Sequence, residues 1–130
     1  YLLAVRNAAA HLVPRTLESL RNVGAPSFLT VLKRFGHSNP GPLSFPMPGW
    51  TLAADVPAAV PGLLEVLDQL DEEVAAAGGR LYLAKDSRQS SEVIKNSYQH
   101  FADWQQNVDL LHQPKVFVSD LSNRLGFHEE

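Results

Sequence analysis

Lys85 stands where a side chain could do chemistry. It follows the apolar stretch Arg80-Leu81-Tyr82-Leu83-Ala84 and opens the cluster Lys85-Asp86-Ser87-Arg88. A cation at the point where a strand leaves its sheet is easily aimed into a cleft, and loops on a rigid scaffold are where binding groups concentrate. Lys33 is a second such cation, interrupting the strand-like run from Ser27 to Phe35. Lysine is rarely buried unless paired. Each of the two therefore runs its stem along apolar surface with its head in water, or pairs with Asp55 or Asp86, or meets a ligand that carries negative charge.

Other reactive groups form weaker patterns. The five histidines (His11, His37, His100, His112, His128) show no metal-ligand spacing. Ser44, Ser87 and Asp86 lack the Gly-x-Ser-x-Gly elbow of a hydrolase. Ser87 reads as a turn or cap residue, and Asp86 and Arg88 as residues that pair with each other or tie down the loop. No Gly-rich phosphate-binding turn follows any strand.

The elements that must position the lysines can be read from periodicity. Tyr1 to Val5 is a strand. A helix over 8–23 keeps Val13, Leu17, Leu20 and Val23 at helical spacing. Pro14 belongs in a first turn, so this helix is expected to begin late, and Gly24 is its natural stop. Strands follow over 27–35 and 50–56. Pro61 opens a second helix with an apolar stripe of Leu63, Leu67, Leu70, Val74 and Ala77. Its acidic run Asp68, Asp71, Glu72 and Glu73 reads as a solvated face, and Gly78-Gly79 closes it. A fourth strand covers 80–84.

The order strand-helix-strand-strand-helix-strand predicts an α+β fold. It is the ferredoxin-like split βαβ: an antiparallel four-stranded sheet with two helices on one face. Residues 1–88 would form this domain and 89–130 a helical C-terminal extension packed on it. In the extension Ser90 or Ser91 caps a start. Ile94, Tyr98, Phe101, Trp104, Val108 and Leu111 mark a buried stripe broken near Gln99, Pro114 ends it, and 119–125 forms a last short helix. Trp50 and Trp104 read as packing residues.

Side chains alternate along strands, so the sheet has a second face. In the second strand Leu29, Val31, Lys33 and Phe35 oppose Phe28, Thr30, Leu32 and Arg34; in the third, Thr51, Ala53 and Asp55 oppose Leu52, Ala54 and Val56. Both sets are largely apolar, which predicts that the face without helices is covered by the C-terminal helices, a partner subunit, or a further domain with its ligand. The run from Pro40 to Trp50 has four prolines and two glycines, yet also Leu43, Phe45 and Met47. A linker would be polar; this segment is built to pack.

Bulk properties narrow the function. The chain has 130 residues, formal net charge −3, 45% hydrophobic and 19% charged residues, and no cysteine. One domain of ordinary globular composition fits. Disulfides and thiolate metal sites are excluded. With no basic stripe, nothing points to nucleic acid.

The segments PLSFPMPGW, GGRLYLAKDSR and SFLTVLKRFG resemble the C-terminal part of FAD-linked oxidoreductases of the vanillyl-alcohol oxidase type. The resemblance runs from about Tyr1 to Gly126 and includes Tyr98, Trp104 and Val116-Phe117-Val118-Ser119-Asp120. It is nearest to members that oxidise a lipid-linked cell-wall sugar; sugar lactone oxidases are more distant. The resemblance implies FAD as cofactor, gripped mainly by an N-terminal FAD-binding domain absent from this chain. It implies hydride transfer from a sugar-type CH-OH carbon to flavin N5, with the isolated piece inactive. Lys85 and Tyr82 then meet the cofactor, with Lys85 as the catalytic cation, because a reduced flavin carries negative charge near N1 and O2. Lys33, Leu29, Val31 and Phe35 line the substrate pocket. Leu2, Thr51 and Ala53 sit where members of the family carry Gln, Asn and Cys, so flavin chemistry is expected to persist while the exact substrate stays open. Implied partners are the N-terminal domain, a small-molecule or lipid-linked sugar, and a reductase completing an epimerisation. Implied surroundings are the cytoplasm, the membrane periphery or the cell envelope.

A non-catalytic alternative is a ferredoxin-like ligand-sensing or dimerisation module. The fold alone does not separate the two. The pair Lys33 and Lys85 favours the enzyme, since a sensor has no need of two cations on one apolar face.

Overall fold

The computed structural model describes residues 1–111 and 117–127. In chain order the elements are β1 (Leu2–Val5), α1 (Ala9–Asn22), β2 (Leu29–Phe35), β3 (Gly49–Asp55), α2 (Leu63–Ala76), β4 (Arg80–Leu81), a 3₁₀ turn at Leu83–Lys85, then α3 (Ser91–Ser97), α4 (Phe101–Leu111) and α5 (Asp120–Arg124). The four strands form one antiparallel sheet in the order β2-β3-β1-β4. This is the expected split βαβ topology.

Helices α1 and α2 cover one face. Leu3 and Val5 of β1, Leu52 of β3 and Leu81 of β4 pack with Leu12 of α1 and Val74 of α2, and Val93 of α3 joins them. A neighbouring cluster joins Leu20, Ala54, Leu63, Leu67 and Leu70. Burying side chains of this size contributes roughly 1.5–3 kcal/mol each. Both helices end as glycine predicts. In α2 the N–H of Gly79 bonds the Val74 carbonyl and that of Gly78 bonds Ala75, with Gly78 at φ +68°, the pattern that satisfies the last carbonyls of a helix.

Several local expectations are corrected. α1 starts at Ala9 and carries Pro14 inside it. The prolyl ring is exposed there, and the Ala8 carbonyl takes the N–H groups of His11 and Leu12, so the first turn forms ahead of the proline. Pro61 precedes the α2 cap, Gly62. β2 begins two residues later than read, at Leu29. The fourth strand is much shorter than 80–84. Tyr82 still donates to the Leu2 carbonyl, but β1 ends there and offers no further partner. The chain instead bends, with Lys85 N–H on Tyr82 O and Asp86 N–H on Leu83 O.

The second face of the sheet is half covered, and by a segment of the chain itself. Phe45 and Met47 of the proline-rich run are buried against Ala4, with Leu2, Phe35 and Tyr82 around them. Phe45 meets the Phe35 ring edge-on at 5.8 Å and the Tyr82 ring at 4.9 Å. Arg80 reaches the Ser44 carbonyl and lies over the Tyr98 ring. Gly49 lets the run rejoin the sheet: at φ +147° its α-carbon sits so close to the Val5 carbonyl that a β-carbon would collide.

The C-terminal helices form a third cluster, Ile94, Tyr98, Phe101, Leu125 and Phe127, reached by Leu43 and Leu83. Ser90 caps α3 and Ser119 caps α5 in a reciprocal capping box. The break between α3 and α4 falls at Tyr98, whose backbone is extended and whose hydroxyl donates to the Leu81 carbonyl at 2.7 Å. Trp104 packs with Phe101 and Phe127, whereas Trp50 is partly exposed under Arg34 and Leu111 is 82% exposed. The readings made at His112, Pro114, Val116 and His128 lie outside the described residues.

If the proline-rich run is part of the core, Phe45→Ala should destabilise the fold by about 3 kcal/mol, the usual cost of emptying an aromatic site. That corresponds to a drop in melting temperature on the order of 10 °C, read by thermal denaturation. A change under 1 °C would mean the run lies on the sheet without holding it.

Candidate functional site

Strand register decides which side chains share the face away from α1 and α2. Leu2 pairs with Ala53 and Ala53 with Val31; Ala4 pairs with Thr51 and Thr51 with Lys33; Gly49 pairs with Phe35 and Asp55 with Leu29. Directly paired residues point the same way. Tyr82, bonded through its N–H to Leu2 O, continues the Leu2 row. Leu2, Leu29, Val31, Lys33, Phe35, Thr51, Ala53 and Tyr82 therefore lie on one face.

They do not share one environment. Phe45 and Met47 cover the Phe35 end. Thr51 is 3% exposed and its hydroxyl donates to the Leu3 carbonyl at 2.8 Å. The other end is open: Leu2, Val31 and Ala53 are half-buried and Leu29 is 55% exposed. Lys33 is exposed on edge strand β2. Among the described residues neither Lys33 nor Lys85 has an ion-pair partner, so the expected pairings with Asp55 or Asp86 do not form.

At this open end a cleft of about 270 Å³ runs between the start of β1, the end of β3, the beginning of α2 and the segment after β4. Leu2, Ala53, Tyr82 and Lys85 line it, together with Asp55, Leu64 and Arg88. Lys33, Leu29, Val31, Phe35 and Thr51 do not; they extend the same face beyond the cleft. The cleft mixes apolar side chains from β1, β3 and α2 with polar groups from the end of β3 and the segment after β4.

The turn that carries Lys85 is held from two sides. Arg88 forks onto α2, bonding Asp68 at 2.6 Å and Asp71 at 2.7 Å, and its guanidinium lies 5.8 Å from the Tyr1 ring centre. Asp71 is thus not on a solvated face: its side chain is 2% exposed. The spacing rule placed it with its acidic neighbours, whereas the partners that accompany its burial, Arg88 and Tyr1, lie far along the chain. Burial raises the Asp71 carboxyl above its ordinary range although Arg88 and the Tyr1 phenol pull it down. Burial and Asp71 in turn push the Tyr1 phenol well up.

On the other side Asp86 does not pair with the Arg88 side chain. One Asp86 oxygen accepts the backbone N–H groups of Arg88 and Gln89; the other meets Arg124 of α5 at 2.5 Å. Burial works to raise this carboxyl, but the Gln89 N–H, Arg124 and the Arg88 N–H outweigh it and hold it below the carboxylate range. Sequence reasoning missed Asp71 and Arg124, since each is defined by a partner far along the chain.

A carboxyl depressed in the folded state stabilises above its unfolded pKa, and that stability is lost as pH falls through the folded value. Asp86→Asn should therefore lower the melting temperature at pH 7 and flatten its decline between about pH 5 and pH 2. Parallel melting curves for the two proteins across that window would remove Asp86 from the acid response.

No family model matches the chain. Over 126 residues, 97% of its length, it is 40% identical to a Streptomyces coelicolor protein described as uncharacterized, in the mprA 5′ region, of which it covers 34%. Over 125 residues, 96% of its length, it is 38% identical to decaprenylphosphoryl-β-D-ribose oxidase of Mycolicibacterium smegmatis, of which it covers 27%. The chain spans about a third or less of these curated relatives. Along nearly its whole length, then, the chain is similar to one part of a decaprenylphosphoryl-β-D-ribose oxidase.

Proposed function

We propose that this chain is the substrate-side, C-terminal piece of a flavin-dependent oxidoreductase that oxidises a sugar-type alcohol. The observation that carries the reading is the cleft at the open end of the sheet, where Leu2, Ala53 and Tyr82 lie beside Lys85, with Lys33 further along the same face and neither lysine in an ion pair among the described residues. Similarity to an oxidase supports the same reading.

The donor set suits FAD. Leu2, Val31 and Ala53 offer a flat apolar surface, Tyr82 an aromatic edge, and Lys85 a positive charge. When bound, the flavin would take up the hydride from the carbinol carbon at N5. Lys85 would hold its ammonium where negative charge develops, a preorganised interaction that needs no rearrangement during reaction. The apolar floor would keep water from the reacting groups. Lys33, further along the same face, would orient the substrate. Most of the grip on FAD would come from an N-terminal domain, so this chain alone should bind FAD weakly and be inactive. Leu2, Thr51 and Ala53, with no free polar group among them on the cleft side, fit a sugar held by fewer direct hydrogen bonds.

A cytoplasmic or envelope setting, with a lipid-linked sugar and a reductase acting on the oxidised product, accords with this reading. Among the described residues no helix is long and apolar enough to cross a membrane.

In the flavin-loaded full-length protein, Lys85→Ala should cut turnover by about 10²-fold, the scale for one preorganised electrostatic contact, and lower the flavin midpoint potential. The melting temperature should hardly move, because Lys85 is exposed. Lys33→Ala should act mainly on substrate binding. Normal turnover and an unchanged potential in Lys85→Ala would leave the face as a non-catalytic binding surface.

A further inference from the structure

We propose that Arg124 of α5 is a positioning residue for Lys85. The inference rests on the reading that Lys85 acts at the cleft, and extends it to an element that does not touch the cleft. Lys85 is exposed and makes no ion pair among the described residues, so its own side chain does not fix its direction. What the fold can fix is where its backbone, and so the root of its side chain, sits. The segment that follows it has no strand or helix of its own until α3 begins at Ser91.

Two long-range contacts hold that segment, and they differ in kind. Arg88 ties it down to α2. Arg124 acts beside Lys85: one guanidinium nitrogen meets Asp86, the next residue, and another donates to the Gln89 carbonyl at 2.5 Å. Asp86 is the pivot. Its side chain is 1% exposed, and it gathers the N–H groups of Arg88 and Gln89 on one oxygen while Arg124 takes the other. Arg124 thus closes a ring of charge-assisted bonds around the turn Asp86–Gln89. Such bonds are shorter and stronger than neutral ones, and Arg can bridge two acceptors at once where Lys, a point donor, fits only one well.

α5 itself is short, but its end is fixed. Ser119 and Ser122 cap it reciprocally, Leu125 is fully buried, and Gln105 of α4 donates to the Gly126 carbonyl. Arg124 is therefore held by packing before it makes its contacts, as a group that positions another must be. A misplacement of about 1 Å in a reacting group can cost on the order of 10²-fold in rate. Releasing one of the two ties should cost less.

The experiment uses the full-length, flavin-loaded protein with Lys85→Ala, Arg124→Ala, Arg124→Lys and the double variant Lys85→Ala/Arg124→Ala. We expect Arg124→Ala to lower kcat by about 10-fold with KM little changed, and Arg124→Lys to recover part of the loss. The double variant should be no slower than Lys85→Ala alone, because contacts that act through one group are not additive. Hydrogen exchange at the Arg88 and Gln89 amides should speed up by roughly 10-fold in Arg124→Ala, a readout that does not depend on turnover. If Arg124→Ala does not fold, Arg124→Lys carries the same comparison. Losses that add in the double variant, or unchanged exchange at both amides, overturn the positioning role and leave the flavin reading intact. Normal turnover in Lys85→Ala overturns both.

Discussion

Strand alternation is the constraint from which the rest of this structure follows. Leu3, Leu52 and Leu81 point toward α1 and α2, so Leu2, Ala53 and Tyr82 must point away. A polar second face would simply meet water. Here the second face is apolar in β1, β2 and β3, and exposing it all would cost roughly 25 cal/mol for every Å². The chain answers with the proline-rich run, whose Phe45 and Met47 cover the end near Phe35. Proline limits the freedom this segment has to lose on docking, which suits a cover that lies flat without helix or strand pairing.

The cover stops short, and the uncovered end is where the cleft lies. Its charges are sorted by depth. Asp71 and Asp86 are buried beside arginines, and each is paired with one within the fold. Lys33 and Lys85 stand outside these networks. The Tyr1 hydroxyl and one Asp71 oxygen are buried with no hydrogen-bond partner among the described residues, although the two groups perturb each other's titration. The two arginine pairs act as scaffold, while Lys85 and Asp55 line the cleft outside any ion pair among the described residues.

Much of this was legible in the sequence, in a graded way. Helices α1 and α2, their glycine stops and the four-strand order followed from spacing alone, because local periodicity and capping were consistent with the tertiary result. The identity of the second face followed too, since alternation needs no long-range information. What failed was local reading overridden by distant partners. Asp71 looked solvated because its helical neighbours are acidic, whereas Arg88, far along the chain, pairs with it in the core. The fourth strand looked longer because Leu83 and Ala84 are apolar, but a strand extends only as far as its partner does. The role of Phe45 and Met47 was half legible: the composition announced packing, not the surface packed against. At the cleft, Lys85 was visible as a cation out of place, whereas Arg124 was invisible because nothing near it in the chain marks it.

The shortness of β4 has a kinetic consequence. β2 and β3 pair across a modest connection, while β4 meets β1 across most of the chain. Contacts of that span carry the larger loop-closure entropy and tend to form late. With only Arg80 and Leu81 in register, β4 has the fewest ladder pairs of the four strands, although Leu81 is buried in the core. The wall bearing Lys85 is thereby held less by strand pairing than by side chains from outside the sheet: Arg88 onto α2, Arg124 from α5 and the Tyr98 hydroxyl on Leu81.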